Sequence, residues 1–159
     1  MSELKIKTVE DSKTEVSHLL FSKHMNSAGR LFGGQLLMWI DEVAGIVARR
    51  HCEGNLTTAC IDNLQFKETC YENDVIVIIG YVTHVGRSSM EIRIDTYVER
   101  PDGSRHPVNR AFFVMVALDA NNKPVEVPRL KIQTIDEQAK WDAAEKRIEL
   151  RKQRRDEGF

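Results

Sequence analysis

One carboxylate lies in surroundings that favour chemistry. Asp41 belongs to a long apolar run, and its neighbours one and two helical turns away are Leu37, Ala44 and Ala48. Because these side chains are apolar and mostly small, the carboxylate is expected to be partly desolvated. Desolvation raises the pKa of a carboxylate and strengthens it as a base. The alternative is an aspartate at the edge of an amphipathic helix that only caps or pairs.

A glycine pair stands just before the same run. Gly33 and Gly34 fall where a loop would enter a helix. Without side chains they let a ligand approach the first free backbone N–H groups, where the helix dipole has its positive end. A carbonyl held against these amides would be stabilised as it becomes tetrahedral, often by roughly 3 kcal/mol per donor. The alternative is a glycine pair needed only for a tight turn.

The helix that must position these groups is long and apolar on most sides. Over residues 34–52 the apolar positions recur at helical spacing, and further apolar residues widen the face. So broad a surface predicts a helix that is enclosed on most sides and roughly 27 Å long. Gly54 is expected to stop it.

The rest of the chain shows the two-residue alternation of strands, interrupted by residues typical of turns. We predict an edge strand over residues 16–21 and strands over 57–66, 75–85, 89–99 and 111–118. The 89–99 strand is expected to be half-exposed, the 111–118 strand central, and residues 86–88 a tight hairpin. The first fifteen residues show only weak local preference.

A second helix is predicted at the C-terminal end. Thr134 followed by Glu137 fits a capping box that would start it, and it would end near residue 156. Several long antiparallel strands and one long apolar helix predict an α+β fold, with the sheet curled around that helix.

Composition narrows the class of protein. With 159 residues, 42% hydrophobic and 30% charged, the chain is expected to form a single globular domain over residues 1–159. Its core would span about residues 10–130 and its helical tail about 134–156. The net charge of −1 provides no global field for nucleic acid or an anionic membrane.

The chain is predicted to remain in the cytoplasm. The first fifteen residues lack the apolar segment of a signal peptide, and no run approaches the roughly 20 apolar residues of a bilayer-spanning helix. The three cysteines include no C-x-x-C pair, which favours reduced thiols over disulfides or a structural zinc site.

Three blocks of residues occur in a characteristic order and spacing. They are Asn26-x-x-Gly29-x-x-Phe32-Gly33-Gly34 with Trp39-x-Asp41, then Val85-Gly86-Arg87-Ser88-Ser89-Met90, then Val116-Ala117-Leu118-Asp119 with Val127-Pro128. Together they resemble the hot-dog acyl-CoA thioesterases, specifically the bacterial acyl-CoA hydrolase branch that also includes the brain-type hydrolases. The resemblance covers about residues 21–128. The chain departs from the family pattern in two loops, at residues 22–25 and at Glu68, where pocket detail is affected more than chemistry.

The resemblance implies a hot-dog fold and hydrolysis of a fatty acyl-CoA to free acid and coenzyme A, without a metal or redox cofactor. It implies that Asp41 activates water or attacks directly, and that Asn26 and the Gly34 amide act on the carbonyl. Gly33 would lie against the substrate. Without the resemblance, Asn26 would be interpreted as a loop residue making an Asx turn.

The resemblance also implies an oligomer. The family assembles as dimers with a continuous sheet, often as trimers of dimers, so a homohexamer is expected. Asn26 and Asp41 lie on opposite sides of the glycine turn, and Asp41 is about two helical turns beyond it. We therefore hypothesise that the catalytic pair forms between two subunits, which gives each dimer two composite sites.

Coenzyme A carries phosphates and requires a basic docking surface. The leading candidates follow Gly86 on the predicted hairpin: Arg87 would reach phosphate, while Ser88 and Ser89 would take the pantetheine amides. For the two serines the alternative is ordinary turn chemistry. Arg110 and the basic residues of the C-terminal helix are secondary candidates for the nucleotide end.

Other functions remain open at this point. An acyl-thioester dehydratase or hydratase would need a histidine paired with an acid on the central helix or its approach, and the helix has none before His51. A non-catalytic acyl-CoA-sensing module would not need Asp41. A nucleic-acid binder would use the basic C-terminal helix, but acidic residues alternate there, which favours a solvated charged face. His24 is the only histidine expected near the site.

Overall fold

The first and last elements of secondary structure along the chain are not part of the main sheet. The computed structural model describes residues 3–159, so Met1 and Ser2 of the predicted domain lie outside the described residues. The described chain contains β1 Ile6–Thr8, α1 Val9–Ser12, β2 Thr14–Leu19, α2 Gly33–Cys52, β3 Asn55–Asp62, β4 Val75–Val85, β5 Ser89–Glu99, β6 Arg105–Leu118, β7 Arg129–Lys131 and α3 Ile135–Glu157.

Five strands form one antiparallel sheet in the order β2-β4-β5-β6-β3. The predicted tight hairpin joins β4 to β5, and Val85 pairs with Met90 across it. β6 pairs with both β5 and β3, so it is an interior strand, and β2 and β3 are the two edges. The predicted α+β architecture, an antiparallel sheet wrapped around a long helix, is confirmed.

α2 packs its apolar face against the sheet. Its buried residues are Leu36, Trp39, Ile40, Val43, Ala44, Val47, Ala48 and His51. The close approach depends on Gly80 of β4, because a Cβ atom there would lie only 2.8 Å from Cδ1 of Ile94 and 3.0 Å from Cγ1 of Val43. The opposite side of α2, with Met38 and Ile46, is exposed in the single chain. The predicted enclosure on most sides is therefore wrong for one chain taken alone.

α2 ends at Cys52, as predicted, but a different residue terminates it. Glu53, not Gly54, adopts the left-handed conformation that terminates the helix, with a φ of 57°. A non-glycine residue is uncommon there. Lys5 and Lys7 from the N-terminal segment both bind the Glu53 carboxylate and hold it in place, and these two lysines lower its pKa to about 2.

The outer face of β5 is covered, not half-exposed as predicted. Glu91 and Asp95, which alternate with the inward-facing residues, are both buried. α3 lies over this face, and Arg147 and Arg151 of α3 bind Glu91 at 2.7 and 2.9 Å. The expected solvated face of the C-terminal helix is therefore also wrong for these arginines, which point inward to buried carboxylates.

The first fifteen residues have more structure than predicted. β1 pairs in parallel with β7, with Ile6 opposite Arg129. α1 begins with a capping box in which the Thr8 side chain accepts from the Asp11 N–H. Local sequence could not predict β1, because the strand with which it pairs lies more than a hundred residues away.

Several strands begin or end a few residues away from their predicted bounds. The edge strand is Thr14–Leu19, β3 is Asn55–Asp62, and β6 starts at Arg105 because it continues to pair with β5 beyond the end of β3. α3 begins after Thr134, whose side chain caps the Glu137 N–H, while the Glu137 carboxylate accepts from Gln133.

Candidate active site

The start of α2 leaves two backbone donors free. The cap residue Phe32 has an extended conformation and provides no side-chain cap. Its carbonyl accepts from the N–H groups of Gln35 and Leu36. Within residues 3–159 the N–H groups of Gly33 and Gly34 have no partner. A Cβ atom on Gly34 would lie 2.6 Å from the ring of Phe32, so a larger residue there would displace this exposed side chain.

Asn26 organises the loop that leads to this helix. Its side-chain oxygen Oδ1 accepts from the N–H groups of Ala28 at 2.9 Å and Arg30 at 3.2 Å. Its backbone N–H donates to the Arg30 carbonyl at 2.7 Å. The Asx turn considered as an alternative is therefore present. Because Oδ1 is committed to two donors, the amide nitrogen Nδ2 faces the other way, and it has no partner in the described chain.

Asn26 and the helix start share one cleft of about 240 Å³. Its lining residues are Asn26, Arg30, Leu31, Gly33, Leu36, Phe66, Glu68, Thr69, Cys70 and Val108. The walls are mostly apolar, and the polar donors lie at one end. Burial, together with Asp74 and Glu68, raises the pKa of the Cys70 thiol to about 11. Cys70 is therefore protonated at neutral pH and cannot serve as the nucleophile of this cleft.

Asp41 is not part of that cleft within one chain. Its side chain is exposed, so the predicted desolvation by neighbouring helix residues is wrong for the single chain: Ala44 and Ala48 are buried beneath the helix and do not cover it. The carboxylate does have a partner from the sheet. The Thr58 hydroxyl on β3 donates to Asp41 Oδ1 at 3.1 Å.

Thr58 is the residue that sequence reasoning missed. It lies in a predicted strand as one hydroxyl among several, and nothing local relates it to Asp41. The β3–β6 pairing has a register shift between Thr58 and Cys60, and the Thr58 hydroxyl is also 3.2 Å from the Met115 sulfur. Only the packing of α2 on β3 brings the two side chains together.

The predicted coenzyme A residues lie on the hairpin formed by residues 86–89, which joins the interior strands β4 and β5. The Gly86 N–H donates to the Ser89 carbonyl at 2.8 Å. Arg87 is 86% exposed, and its only ion-pair partner in the described chain is Glu126 at 3.5 Å. A Cβ atom on Gly86 would approach Ser89 Oγ to 2.8 Å, so glycine keeps the turn tight. Ser88 contributes its carbonyl, which accepts from the Ala117 N–H.

A groove of about 750 Å³ runs from this hairpin to α3. Gly86 and Ser89 line it together with Arg151, Arg154 and Arg155. Of the secondary candidates, Arg154 binds Asp62 and Arg110 binds Asp95, each at 2.9 Å. Arg110 lies outside this groove. Most of the predicted basic candidates are therefore already occupied by carboxylates of the same chain.

His24 has a structural role in the loop before α2. Its Nδ1 accepts from the Phe21 N–H at 3.0 Å, its carbonyl accepts from the Phe32 N–H, and its ring packs edge-on against Trp39. This arrangement supports the loop that carries Asn26.

The described chain has neither a cluster of metal ligands nor a membrane-spanning helix. No three His, Cys, Asp or Glu side chains among residues 3–159 come together in a way that could hold a metal ion. In the same part of the chain, neither long helix has the apolar stretch that crossing a membrane requires.

Residues 28–103 match the model of the thioesterase superfamily. An uncharacterized acyl-CoA thioester hydrolase of Bacillus subtilis is 36% identical over 147 residues, which are 92% of this chain and 86% of the relative. The cytosolic acyl coenzyme A thioester hydrolase of Rattus norvegicus is 35% identical over 139 residues. That match covers 85% of this chain, but the chain spans only 36% of the rat protein.

Solved structures have the same fold. A hexameric acyl-CoA thioesterase without ligand superposes with a TM-score of 0.91 and 35% identity, covering 95% of this chain and 97% of the other. The acyl-CoA hydrolase of Staphylococcus aureus, solved with butyryl coenzyme A, coenzyme A and coenzyme A disulfide, gives 0.90 and 29% identity over 96% and 94% of the two chains. Further structures of that hydrolase carry alanine in place of one asparagine, one aspartate or one threonine.

Proposed function

Because the chain belongs to the thioesterase superfamily, we propose that it hydrolyses fatty acyl-CoA to a free carboxylic acid and coenzyme A. One observation carries the proposal: Gly33, whose N–H group is free at the start of α2, lines the same cleft as Asn26, whose Nδ2 has no partner in the described chain. Two relatives that match over most of their length are named as an acyl-CoA thioester hydrolase and an acyl-CoA thioesterase. Coenzyme A would be part of the substrate and a product, not a resident cofactor.

The donors act on the thioester carbonyl. Its oxygen would accept from the Gly33 and Gly34 amides and from Asn26 Nδ2. As the carbon becomes tetrahedral, negative charge collects on this oxygen, and donors already fixed in place stabilise it without reorganising. Asn26 can act only as a donor here, since its oxygen is used within the loop.

Asp41 acts on the carbonyl carbon. In one route it accepts a proton from water, the water oxygen bonds to the carbon, and the carbon–sulfur bond breaks to release coenzyme A. In the other, an Asp41 oxygen bonds to the carbon as the carbon–sulfur bond breaks, and water then hydrolyses the resulting anhydride to the free acid and the Asp41 carboxylate. In both routes the departing coenzyme A thiolate takes up a proton that comes from the water. Both routes need the carboxylate held in a defined orientation, and the hydrogen bond from Thr58 supplies this.

The two halves of the site come from different subunits in this proposal. Asp41 is eight residues beyond Gly33, which is roughly 12 Å along the helix axis at 1.5 Å per residue. Reacting groups must approach to roughly 3–3.5 Å. A carbonyl bound at the helix start therefore lies beyond the reach of Asp41 on the same helix. A second copy of the chain would supply Asp41, and each dimer would hold two composite sites.

The assembly and location follow the relatives. We propose that dimers associate as trimers of dimers, since the chain superposes on a hexameric thioesterase over nearly its whole length. We also propose a cytoplasmic location. The three cysteines are free thiols, and the rat relative is named as cytosolic.

The dehydratase or hydratase alternative finds no support at the site. The one histidine of α2, His51, is fully buried at the far end of the helix and donates to the Pro128 carbonyl at 2.9 Å. It has no route to a substrate bound at the helix start.

Thiol release from acyl-CoA tests the proposal. Wild type and Asp41→Ala are assayed with chain lengths from C2 to C18. We expect release by the wild type and a fall of roughly 10²- to 10⁴-fold in the variant. A protein that binds acyl-CoA equally in both forms but releases no thiol would be the non-catalytic sensing module. Wild-type release no faster than that of the variant at every chain length would end the hydrolase proposal.

A further inference from the structure

The 86–89 hairpin is fastened to the molecule by a short segment, residues 127–129. The Val127 side chain is fully buried, and its N–H donates to the Arg87 carbonyl at 2.9 Å. The Pro128 carbonyl accepts from His51 at the end of α2. This segment therefore ties the central helix to the hairpin that carries the proposed coenzyme A residues.

Arg129 makes the strongest of these links. Its Nη2 donates to the Gly86 carbonyl at 2.7 Å, to the Val127 carbonyl at 2.7 Å and to the Arg87 carbonyl at 3.3 Å, and its Nε donates to Val127 at 3.3 Å. Its partners are backbone carbonyls, and it forms no ion pair with a carboxylate in the described chain. The planar guanidinium is suited to this, because it presents several donors in a fixed geometry.

These bonds decide which way the peptide groups of the hairpin face. In a trans peptide the C=O and the next N–H point in opposite directions. With the Gly86 and Arg87 carbonyls turned toward Arg129, the N–H groups of Arg87 and Ser88 must face away from it. Neither of these N–H groups has a partner among residues 3–159. The Ser88 carbonyl is also occupied, by the Ala117 N–H.

We propose that Arg129 is a positioning residue for coenzyme A binding: it fixes the hairpin so that two backbone donors and the exposed Arg87 side chain are presented together. The inference rests on the proposed function, in which this hairpin holds the coenzyme A part of the substrate. Without Arg129 the Gly86 carbonyl would lose its partner, and the ligand would have to order this part of the hairpin. Fixing the backbone of one residue costs about as much free energy as a tenfold change in affinity, so binding should weaken by roughly that factor.

The test compares two substrates with the same acyl group. Wild type, Arg129→Gln and Arg129→Lys are assayed with an acyl-CoA and with the matching acyl thioester of N-acetylcysteamine, which lacks the nucleotide and its phosphates. We expect Arg129→Gln to raise KM for acyl-CoA roughly tenfold with kcat within about twofold. The effect on the short thioester, which keeps only the first pantetheine amide, should be much smaller. Arg129→Lys keeps the positive charge but loses the planar guanidinium with its several donors. Its KM for acyl-CoA should lie between those of the wild type and Arg129→Gln.

Arg105→Gln is the matched control. Arg105 forms exposed ion pairs with Glu15 and Glu99 and does not contact the hairpin, so both substrates should behave as with wild type. Melting temperatures establish that each variant is folded, and Arg129→Lys takes the place of Arg129→Gln if the latter does not fold.

Two results would overturn the inference. One is that the Arg129 variants have the same KM for acyl-CoA as the wild type. The other is that they lose the same factor in kcat/KM on both substrates, which would mean that Arg129 has a purely structural role. Calorimetric titration with coenzyme A separates the two proposals. If the wild type hydrolyses neither substrate, hydrolysis fails, but weaker coenzyme A binding by the variants would still support Arg129. Equal binding by wild type and variants, or no binding at all, would reject it.

Discussion

At the level of single residues, Asn26 uses its two amide atoms differently. Oδ1 holds the loop before α2 together, and Nδ2 is left for the substrate. Replacement by alanine would remove both functions, so it could not separate a loop effect from an effect on the carbonyl. Aspartate retains an acceptor for the Ala28 and Arg30 N–H groups, but it replaces the donor Nδ2 with a negatively charged oxygen.

Asn26→Asp should therefore keep the fold and lose rate. We expect kcat to fall by roughly 10²- to 10³-fold, the usual effect of losing one oxyanion donor, with a melting temperature close to that of the wild type. Steady-state kinetics and thermal denaturation measure the two effects. Asn26→Ala, which also breaks the loop, is the comparison and should melt lower. Full activity in Asn26→Asp would remove Nδ2 from the mechanism.

Thr58 permits a similar separation for Asp41. Thr58→Val keeps the shape of the side chain but removes the hydroxyl that donates to Asp41. A hydrogen bond to a charged group contributes roughly 1.5–3 kcal/mol, so we expect kcat to fall by at least about tenfold with little change in KM. Thr58→Ser retains the hydroxyl and should recover most of the rate. Equal kinetics for the valine and serine variants would show that the hydroxyl does not orient the carboxylate.

At the level of elements, α3 is held to the sheet by buried ion pairs. Glu91 of β5 is only 2% exposed and accepts from Thr83, Arg147 and Arg151. Burial alone would raise the pKa of this carboxyl, but the hydrogen bonds from Arg147, Thr83 and Arg151 outweigh it and hold the pKa below its usual value. Arg151 and Arg154 also bind Asp62, the last residue of β3.

Glu91→Gln should destabilise the protein. It leaves the largely buried Arg147 guanidinium without its carboxylate and Arg151 with Asp62 alone. Removing one partner of a buried ion pair typically costs about 3 kcal/mol. For a chain of this length the melting temperature should fall by roughly 6–12 °C. Glu149→Gln, at an exposed position on the same helix, serves as the control and should melt like the wild type. An equal melting temperature for Glu91→Gln would mean that the buried pairs contribute little to the docking of α3.

At the level of the whole molecule, composite sites can be tested by mixing two inactive variants. A dimer of an Asn26→Ala chain and an Asp41→Ala chain would contain one site with both residues intact and one with neither. If half of the dimers are mixed, co-expression should restore roughly a quarter of wild-type activity. Each variant expressed alone is the control. No recovery in verified mixed dimers would place the pair within one chain.

The stability of the molecule should also fall in mild acid. Burial lowers the pKa of His51, although its hydrogen bond to Pro128 opposes this. The unfolded chain therefore takes up a proton below about pH 6.5 while the folded chain does not, so stability falls as the pH drops through this window and is unaffected above it.

His51→Gln tests this assignment, because the glutamine amide can still donate to Pro128 but does not titrate. We expect the melting temperature of the wild type to fall between pH 7 and pH 5, and the fall to be smaller in His51→Gln. Burial also lowers the pKa of the half-buried His18, so some of the slope should remain. His106→Gln, at an exposed position, should keep the wild-type slope. If the melting temperatures of His51→Gln and the wild type fell equally with pH, the pH dependence could not be assigned to His51.

Much of the architecture could be predicted from local patterns. The apolar period over α2, the alternation in β5, the Gly86 hairpin and the Thr134 cap each involve neighbours in the chain, and these elements are present as predicted. The glycine pair could be placed at the helix start for the same reason. The resemblance to hot-dog thioesterases rests on these local blocks, and family membership is confirmed.

Only the tertiary structure decided which side chains meet. Thr58 and Asp41 are 17 residues apart, Arg129 and Gly86 are 43 apart, and Arg147 and Glu91 are 56 apart. Their contacts depend on how α2, β7 and α3 dock on the sheet. Periodicity shows that β5 alternates, but not that a helix covers its outer face. Likewise it identifies Asp41 on a helix, but whether that carboxylate is exposed depends on what packs against it, which local sequence does not encode.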